Sequence, residues 1–179
     1  TVCDVVPLKG LNRAYVAQGL KIMARRENPG LAALADVARL KRKPDPYALG
    51  FMLGPRLNAA GRIGNAALAF RLLTTRDRGE AAMLAQDLEK LNRERQAVEL
   101  AVVDQAVMQA EAMMGEGGRQ PVLVVSRKGW HPGVVGLVAS RLKERVHRPT
   151  VAFAPGGEDG RLRGSARSVS GSSSSIRSW

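Results

Sequence analysis

The sequence predicts an α/β protein in which a largely helical first part, opened by one short strand, joins through a single long helix to a small domain with a mixed sheet. Three observations predict it. Between residues 78 and 114 there is no Pro, and no Gly after position 79, while Leu84, Leu88, Leu91, Val98 and Val102 recur at spacings of three and four. Beyond GEGGRQ the chain alternates short apolar runs with one amphipathic segment in the order β-α-β-β, the pattern of a small α/β unit. Before residue 78 the apolar residues keep helical spacing between Pro- and Gly-rich breaks.

Taken in order, residues 2–8 (VCDVVPL) read as a short apolar strand carrying one carboxylate, Asp4. Leu11, Tyr15, Val16, Leu20 and Ile22 or Met23 give a helix over 11–26, stopped by Asn28-Pro29-Gly30. A second helix follows at 31–40, and KRKPDP is a basic, Pro-broken loop. YALGFMLGPRLNAAGRIG begins apolar and continues as a Gly-, Asn- and Arg-rich segment that reads as a turn or ligand loop. A helix over about 65–73 leads to TTRDRGEA, where Thr75 or Asp77 can cap the long helix and Glu80 suits its first turn. That helix spans roughly 50 Å at about 1.5 Å per residue, with Arg95 interrupting its apolar stripe. PVLVVS is then a buried strand, GWHPGVVG a Gly loop, 134–146 a helix, PTVAFAP a strand, GGEDG a turn and RLRGSARSV the last strand.

Composition narrows the partners. The chain has 179 residues, 28 Lys+Arg against 16 Asp+Glu, a net charge of +12 and a pI near 11.0. That field favours polyanions, nucleic acid first among them. Aromatics are 4%, so stacking on aromatic platforms is not expected to dominate such binding. One cysteine, Cys3, excludes an internal disulfide framework and a thiolate zinc cluster. No apolar run approaches a membrane span and no secretory signal is visible, so no membrane partner is expected and the cytoplasm is the default location. The start at TVCDVVPL without Met, and the end on SGSSSSIRSW, read as the cut edges of a longer protein.

Four stretches carry candidate chemistry. Asp4 is either a solvated strand-end carboxylate or a hard-oxygen ligand for Mg²⁺ or Mn²⁺, and a single carboxylate cannot hold such a metal. In LGPRLNAAGRIG, Arg56, Asn58 and Arg62 offer donors for phosphate oxygens among glycines that permit close approach; the alternative is a solvated basic turn. His131 stands just before a helix, where free N–H groups favour anions and an imidazole can donate or exchange a proton; His147, at the other end of that helix, reads as structural. In GRLRGSARSVS, Ser165 and Arg167 are two apart and therefore share one face of a strand, beside Gly164, with Arg161 and Arg163 in the same parity. A hydroxyl beside a guanidinium suits a terminal phosphate; the competing reading is an edge strand protected by charge.

Read together, TVCDVVPL, LGPRLNAAGRIG, LNRERQ, GWHPGVVGLVASRL and RGSARS, in that order over about residues 1–170, resemble the RecJ-type single-strand DNA exonucleases of the DHH phosphoesterase superfamily. The resemblance implies the end of a DHH catalytic domain over 1–76, a connecting helix over 77–115, a DHHA1 domain over 116–170 and a disordered Ser-rich tail over 171–179. It implies 5′-to-3′ degradation of single-stranded DNA in repair and recombination with Mn²⁺ or Mg²⁺ at a two-metal site whose other ligands lie upstream. Asp4 then matches the last metal-binding aspartate, and Arg56 and Asn58 the segment nearing the scissile phosphate, with Arg62 beyond them. His131 matches the histidine facing the cleft, and Ser165 and Arg167 the 5′-phosphate pocket. A monomer is expected, with a single-strand-binding protein and a helicase as partners, and with these 179 residues inactive by themselves but able to bind nucleic acid. Two other readings remain: a phosphodiesterase of short RNA or cyclic dinucleotides, whose GGGH-like stretch RGSARS replaces here, and a non-catalytic DHHA1 binding module, against which TVCDVVPL and LGPRLNAAGRIG argue.

Overall fold

The computed structural model describes residues 2–115, 120–156 and 161–169. Most of the GEGGRQ break, the GGEDG turn and the tail from 170 lie outside the described residues. The chain divides into two compact units, Thr1–Arg95 and Gln96–Trp179.

In the first unit, residues 2–5 form a turn and not the expected strand. Val5 adopts a positive φ of 55° and its N–H donates to the Val2 carbonyl at 3.1 Å, so the backbone reverses where a strand would extend. The segment is held by Cys3 instead, whose thiol donates to the Leu49 carbonyl at 3.5 Å. Helix α1 (Gly10–Ala24) follows, then α2 (Pro29–Val37), where the Asn28 side chain accepts from the Leu31 N–H at 2.9 Å and Pro29 occupies the first turn.

The Gly-rich segment is helical as far as Ile63, contrary to the expected turn. A π-helix, Ala48–Leu53, runs directly into α3 (Gly54–Ile63). Gly54 serves packing: a Cβ there would stand 2.3 Å from the Cys3 sulfur, so only glycine admits that side chain. Ala59 and Ala60 are fully buried and keep the helix close to its neighbours. Helix α4 (Ala67–Thr74) leads to α5 (Arg78–Gly115). Asp77 caps α5, its carboxylate accepting the Glu80 N–H at 2.6 Å. Glu80 takes hydrogen bonds from Thr75 and Arg71, which hold its carboxyl below the ordinary range. The core gathers Leu34, Leu53 and Leu72 against Ala81, Leu84, Ala85 and Leu88 of α5, a set with the i, i+3, i+4, i+7 spacing of one helix face.

Arg95 lies on the seam that it was expected to interrupt. It is 8% exposed and donates to the Asn92 side-chain oxygen at 3.2 Å, so the stripe carries a hydrogen-bonded polar pair where a leucine would otherwise sit.

In the second unit, α5 continues with Val102, Ala106, Val107 and Ala110 buried. Strands β1 (Leu123–Ser126), β2 (Thr150–Pro155) and β3 (Leu162–Arg167) form a mixed sheet in the order β1-β2-β3, β1 parallel and β3 antiparallel to β2. Helix α6 (Val135–Val146) makes the crossover from β1 to β2 and packs on β2 and β3. Strand β1 is not buried throughout, as PVLVVS suggested: Leu123 and Val125 are buried, whereas Val124 and Ser126 face solvent. The alternation marks a sheet with one covered face. The carboxamide of Gln109 exchanges two hydrogen bonds with the backbone of Ser126, and so stands in for a strand beside β1. His147 ends α6 in the left-handed region and its N–H donates to the Lys143 carbonyl, a structural C-cap.

Candidate nucleic-acid interface

The stretch richest in arginine is β3, and its pairing decides which way those side chains point. Thr150, Ala152 and Ala154 of β2 are buried, and they pair with Arg167, Ser165 and Arg163 respectively. Paired residues of an antiparallel ladder lie on the same face, so these three side chains project from the α6 side of the sheet. Thr150 is the buried end of this row, its hydroxyl donating to the Arg148 carbonyl at 3.1 Å.

The first turn of α6 meets that row. A Cβ built on Gly136 would lie 3.3 Å from Ser165 Oγ and 3.4 Å from Arg167 Nη2. Arg167 Nη1 donates to Ser165 Oγ at 2.8 Å and to its neighbour's carbonyl, Ala166 O, also at 2.8 Å. Helix α6 begins at Val135, and Val134 before it supplies no side-chain cap. The Val134 N–H already donates to the His131 carbonyl at 3.1 Å and the Leu137 N–H to the Val134 carbonyl at 2.9 Å. The N–H groups of Val135 and Gly136 add to a hydroxyl and a guanidinium at one partly exposed spot, and these groups can donate to an anion. Glycine at 136 keeps open the space that a methyl would fill.

His131 lies on the loop leading into α6, exposed, with Nδ1 accepting the Gly133 N–H at 3.0 Å. Because Nδ1 accepts, the neutral ring carries its proton on Nε2 and presents a donor there. Trp130 beside it is buried, its indole N–H donating to Gln105 of α5 at 2.8 Å, which anchors the loop. Arg163 takes a different course: its stem lies where a Cβ on Gly156 would be, 2.8 Å from its Cγ, toward the turn end of the hairpin.

The other sequence-predicted residues are in the first unit. Arg56 is committed internally: Nε donates to Glu89 at 2.5 Å and Nη1 to the Met52 carbonyl at 2.5 Å, with the pair only 16% exposed on each side. Glu89 also accepts from Arg93 at 2.9 Å, so Arg56 ties α3 to α5. Asn58 is exposed and Arg62 half-buried, one helical turn apart on α3. Asp4 is exposed on the turn whose neighbour Cys3 packs on Gly54. Structure thus brings Ser165 and Arg167 together, and sets Asp4 next to a residue that touches the start of α3. Among the described residues no three His, Cys, Asp or Glu side chains gather as a metal site. The donor set here does not by itself fit a two-metal centre.

Three participants, Gly136, Gln109 and Glu89, do not stand out in the sequence pattern. Gly136 falls in the GWHPGVVG loop stretch, and Gln109 and Glu89 are ordinary polar positions of a long helix. A glycine inside an amphipathic helical run is the available signal for the first.

A small mixed-sheet unit with a donor-lined helix N-terminus defines the class: residues 119–177 match the DHHA1 domain family. The single-stranded-DNA-specific exonuclease RecJ of Dickeya dadantii is 45% identical over 174 residues, and that of Escherichia coli K12 is likewise 45% identical over 174. The Bacillus subtilis RecJ is 39% identical over 176 residues. Each comparison covers 96% of this chain, which spans 30% of the first two relatives and 22% of the third. Among solved structures, RecJ of Thermus thermophilus in complex with Mn²⁺ superposes with a TM-score of 0.82 at 36% identity, over 94% of this chain and 24% of that one. An exonuclease RecJ bound to manganese gives 0.78 at 36% identity, over 96% and 41%. Residues 119–177 thus carry a DHHA1 domain, and over nearly its whole length the chain is similar to one part of the RecJ single-stranded-DNA-specific exonucleases.

Proposed function

We propose that these 179 residues form the strand-end-holding part of a metal-dependent exonuclease that degrades single-stranded DNA from its 5′ end, in repair and recombination. The observation that carries the reading is the cradle of Gly136, Ser165 and Arg167. A terminal phosphate monoester has more negative charge and one more free oxygen than an internal diester, so a guanidinium, a hydroxyl and helix N–H groups together can tell a strand end from its middle. The net charge of +12 supplies a sequence-independent attraction for the strand behind that end.

Hydrolysis in this family is supported as divalent-metal chemistry by relatives solved with Mn²⁺ and with Mg²⁺. Asp4 is the carboxylate we assign to that centre, with the remaining ligands outside these residues. The chain alone is then expected to bind single strands and not to cut them. His131 is the residue we place toward the reacting phosphate, donating from Nε2. Arg62 and Asn58 are assigned to the approaching backbone. Arg56, with two of its donors already engaged, acts by fixing α3.

The test is kcat/KM of the complete enzyme on 5′-phosphorylated and 5′-hydroxyl single strands at one ionic strength. Arg167→Ala should cost roughly ten- to a hundredfold on the phosphorylated strand, the loss of a charge-assisted bond of about 1.5–3 kcal/mol, and much less on the hydroxyl strand. Arg163→Ala should act equally on both. Equal losses on the two substrates for Arg167→Ala would remove the end-reading role.

A further inference from the structure

Tyr47 and Phe51 stand one turn apart at the start of the π-helix, their ring centroids 5.0 Å apart and their planes inclined by 28°. Both are open to solvent, 57% and 71% exposed, in a chain with only two Trp, two Tyr and three Phe. Rings that contribute to folding bury most of their surface; these keep most of theirs outside.

Their surroundings are cationic. The Arg42 guanidinium lies 5.8 Å from the Tyr47 ring centroid. It is oriented by Asp45 at 3.1 Å, and Asp45 in turn accepts the Ala48 N–H at 2.7 Å, so the arginine is tied to the end of the same helix that carries the rings. Lys41 and Lys43 flank it, exposed, and the loop they form walls a cavity of about 240 Å³ together with Arg26.

We propose that Tyr47 and Phe51, with Arg42, form a stacking platform for the bases of a single-stranded nucleic acid, a contact additional to the cradle of α6 and β3. The proposal takes its substrate class from the preceding reading. Charge complementarity selects the occupant: a single strand offers planar π faces and a polyanionic backbone together, whereas a duplex keeps its base faces stacked inside. An acidic peptide would satisfy the cations and leave the planes uncovered.

The experiment is binding of an oligo-dT of about 12 nucleotides, carrying a 5′ hydroxyl and a 3′ fluorophore, compared with an abasic strand of the same length. Tyr47→Ala and Phe51→Ala should each weaken oligo-dT binding roughly five- to a hundredfold and leave the abasic strand unchanged. Tyr47→Trp should keep the affinity, and its exposed indole should lose fluorescence when oligo-dT binds. Far-UV circular dichroism confirms that the exposed-site variants stay folded. Equal losses on both strands, or none on either, overturn the platform. A wild-type chain that binds no oligo-dT overturns the single-strand reading as well. Binding that prefers a 5′ phosphate through Arg167 yet ignores Tyr47 and Phe51 overturns the platform alone.

Discussion

Gly136→Ala separates what α6 does for stability from what it does for a ligand. The new methyl would stand 3.3 Å from Ser165 Oγ and 3.4 Å from Arg167 Nη2, contacts that oblige both side chains to give by a few tenths of an ångström. Both belong to β3, an exposed strand, and the Arg167 side chain can swing outward. Against that cost, alanine gains up to about 0.8–1.0 kcal/mol over glycine inside a helix, and less in a first turn. The two effects nearly cancel, and the thermal midpoint should stay within a few degrees of wild type. Binding should not be spared. The methyl takes the space between the helix N–H groups and the Ser165–Arg167 pair, so a terminal phosphate loses at least one charge-assisted bond. At about 1.5–3 kcal/mol, that is roughly ten- to a hundredfold in Kd. Fluorescence anisotropy with 3′-labelled strands, phosphorylated or not at the 5′ end, reads the change at fixed salt, and circular dichroism reads the midpoint. Unchanged affinity for the phosphorylated strand would refute the reasoning, and so would an equal fall on both strands.

Two further outcomes concern the first unit. Gly30→Ala should destabilise it by about 2–4 kcal/mol, because the added Cβ would fall 1.8 Å from the Leu72 carbonyl oxygen, a backbone atom that cannot turn aside; a denaturant midpoint equal to wild type would contradict the close packing of α2 on α4. Thr75 and Arg71 hold the Glu80 carboxyl below its ordinary value, so the folded state is favoured above the unfolded-state value, about 4.3, and that advantage is lost as pH falls through the lower folded value. Glu80→Gln should therefore flatten the acid side of the curve of Tm against pH, and parallel curves for variant and wild type would refute it.

The parts of the fold written in local periodicity were legible. Helix α5 follows from a break-free run with one apolar stripe; its cap was open between Thr75 and Asp77, and Asp77 is the one that accepts the Glu80 N–H. Strands β1, β2 and β3 follow from short apolar or alternating runs between turns. The misreadings share a cause: long-range packing overrode local pattern. The run over residues 2–5 looks like a strand, but it closes a turn and docks Cys3 on Gly54. The glycines of LGPRLNAAGRIG look like a loop, yet Gly54 and Gly64 sit where side chains approach closely. For the site, the shared face of Ser165 and Arg167 was readable from strand parity, and their hydrogen bond agrees. A glycine inside a helical run marks position 136, but its meeting with β3 was not readable, because that depends on a crossover. Nor was the commitment of Arg56 to Glu89, a partner 33 residues away.

The central claim is that a strand's terminal phosphate is held by Ser165 and Arg167 at the start of α6. Phosphorus NMR tests it most directly, since a 5′ monoester gives a resonance separate from the internal diesters and titrates near about pH 6. With the wild-type chain, the monoester signal of a short phosphorylated strand should shift on binding. Its pKa should also fall, because donors favour the dianion. Arg167→Ala should abolish most of both effects while the diester signals still respond. A monoester that keeps its free shift and pKa while the diesters move would contradict the account.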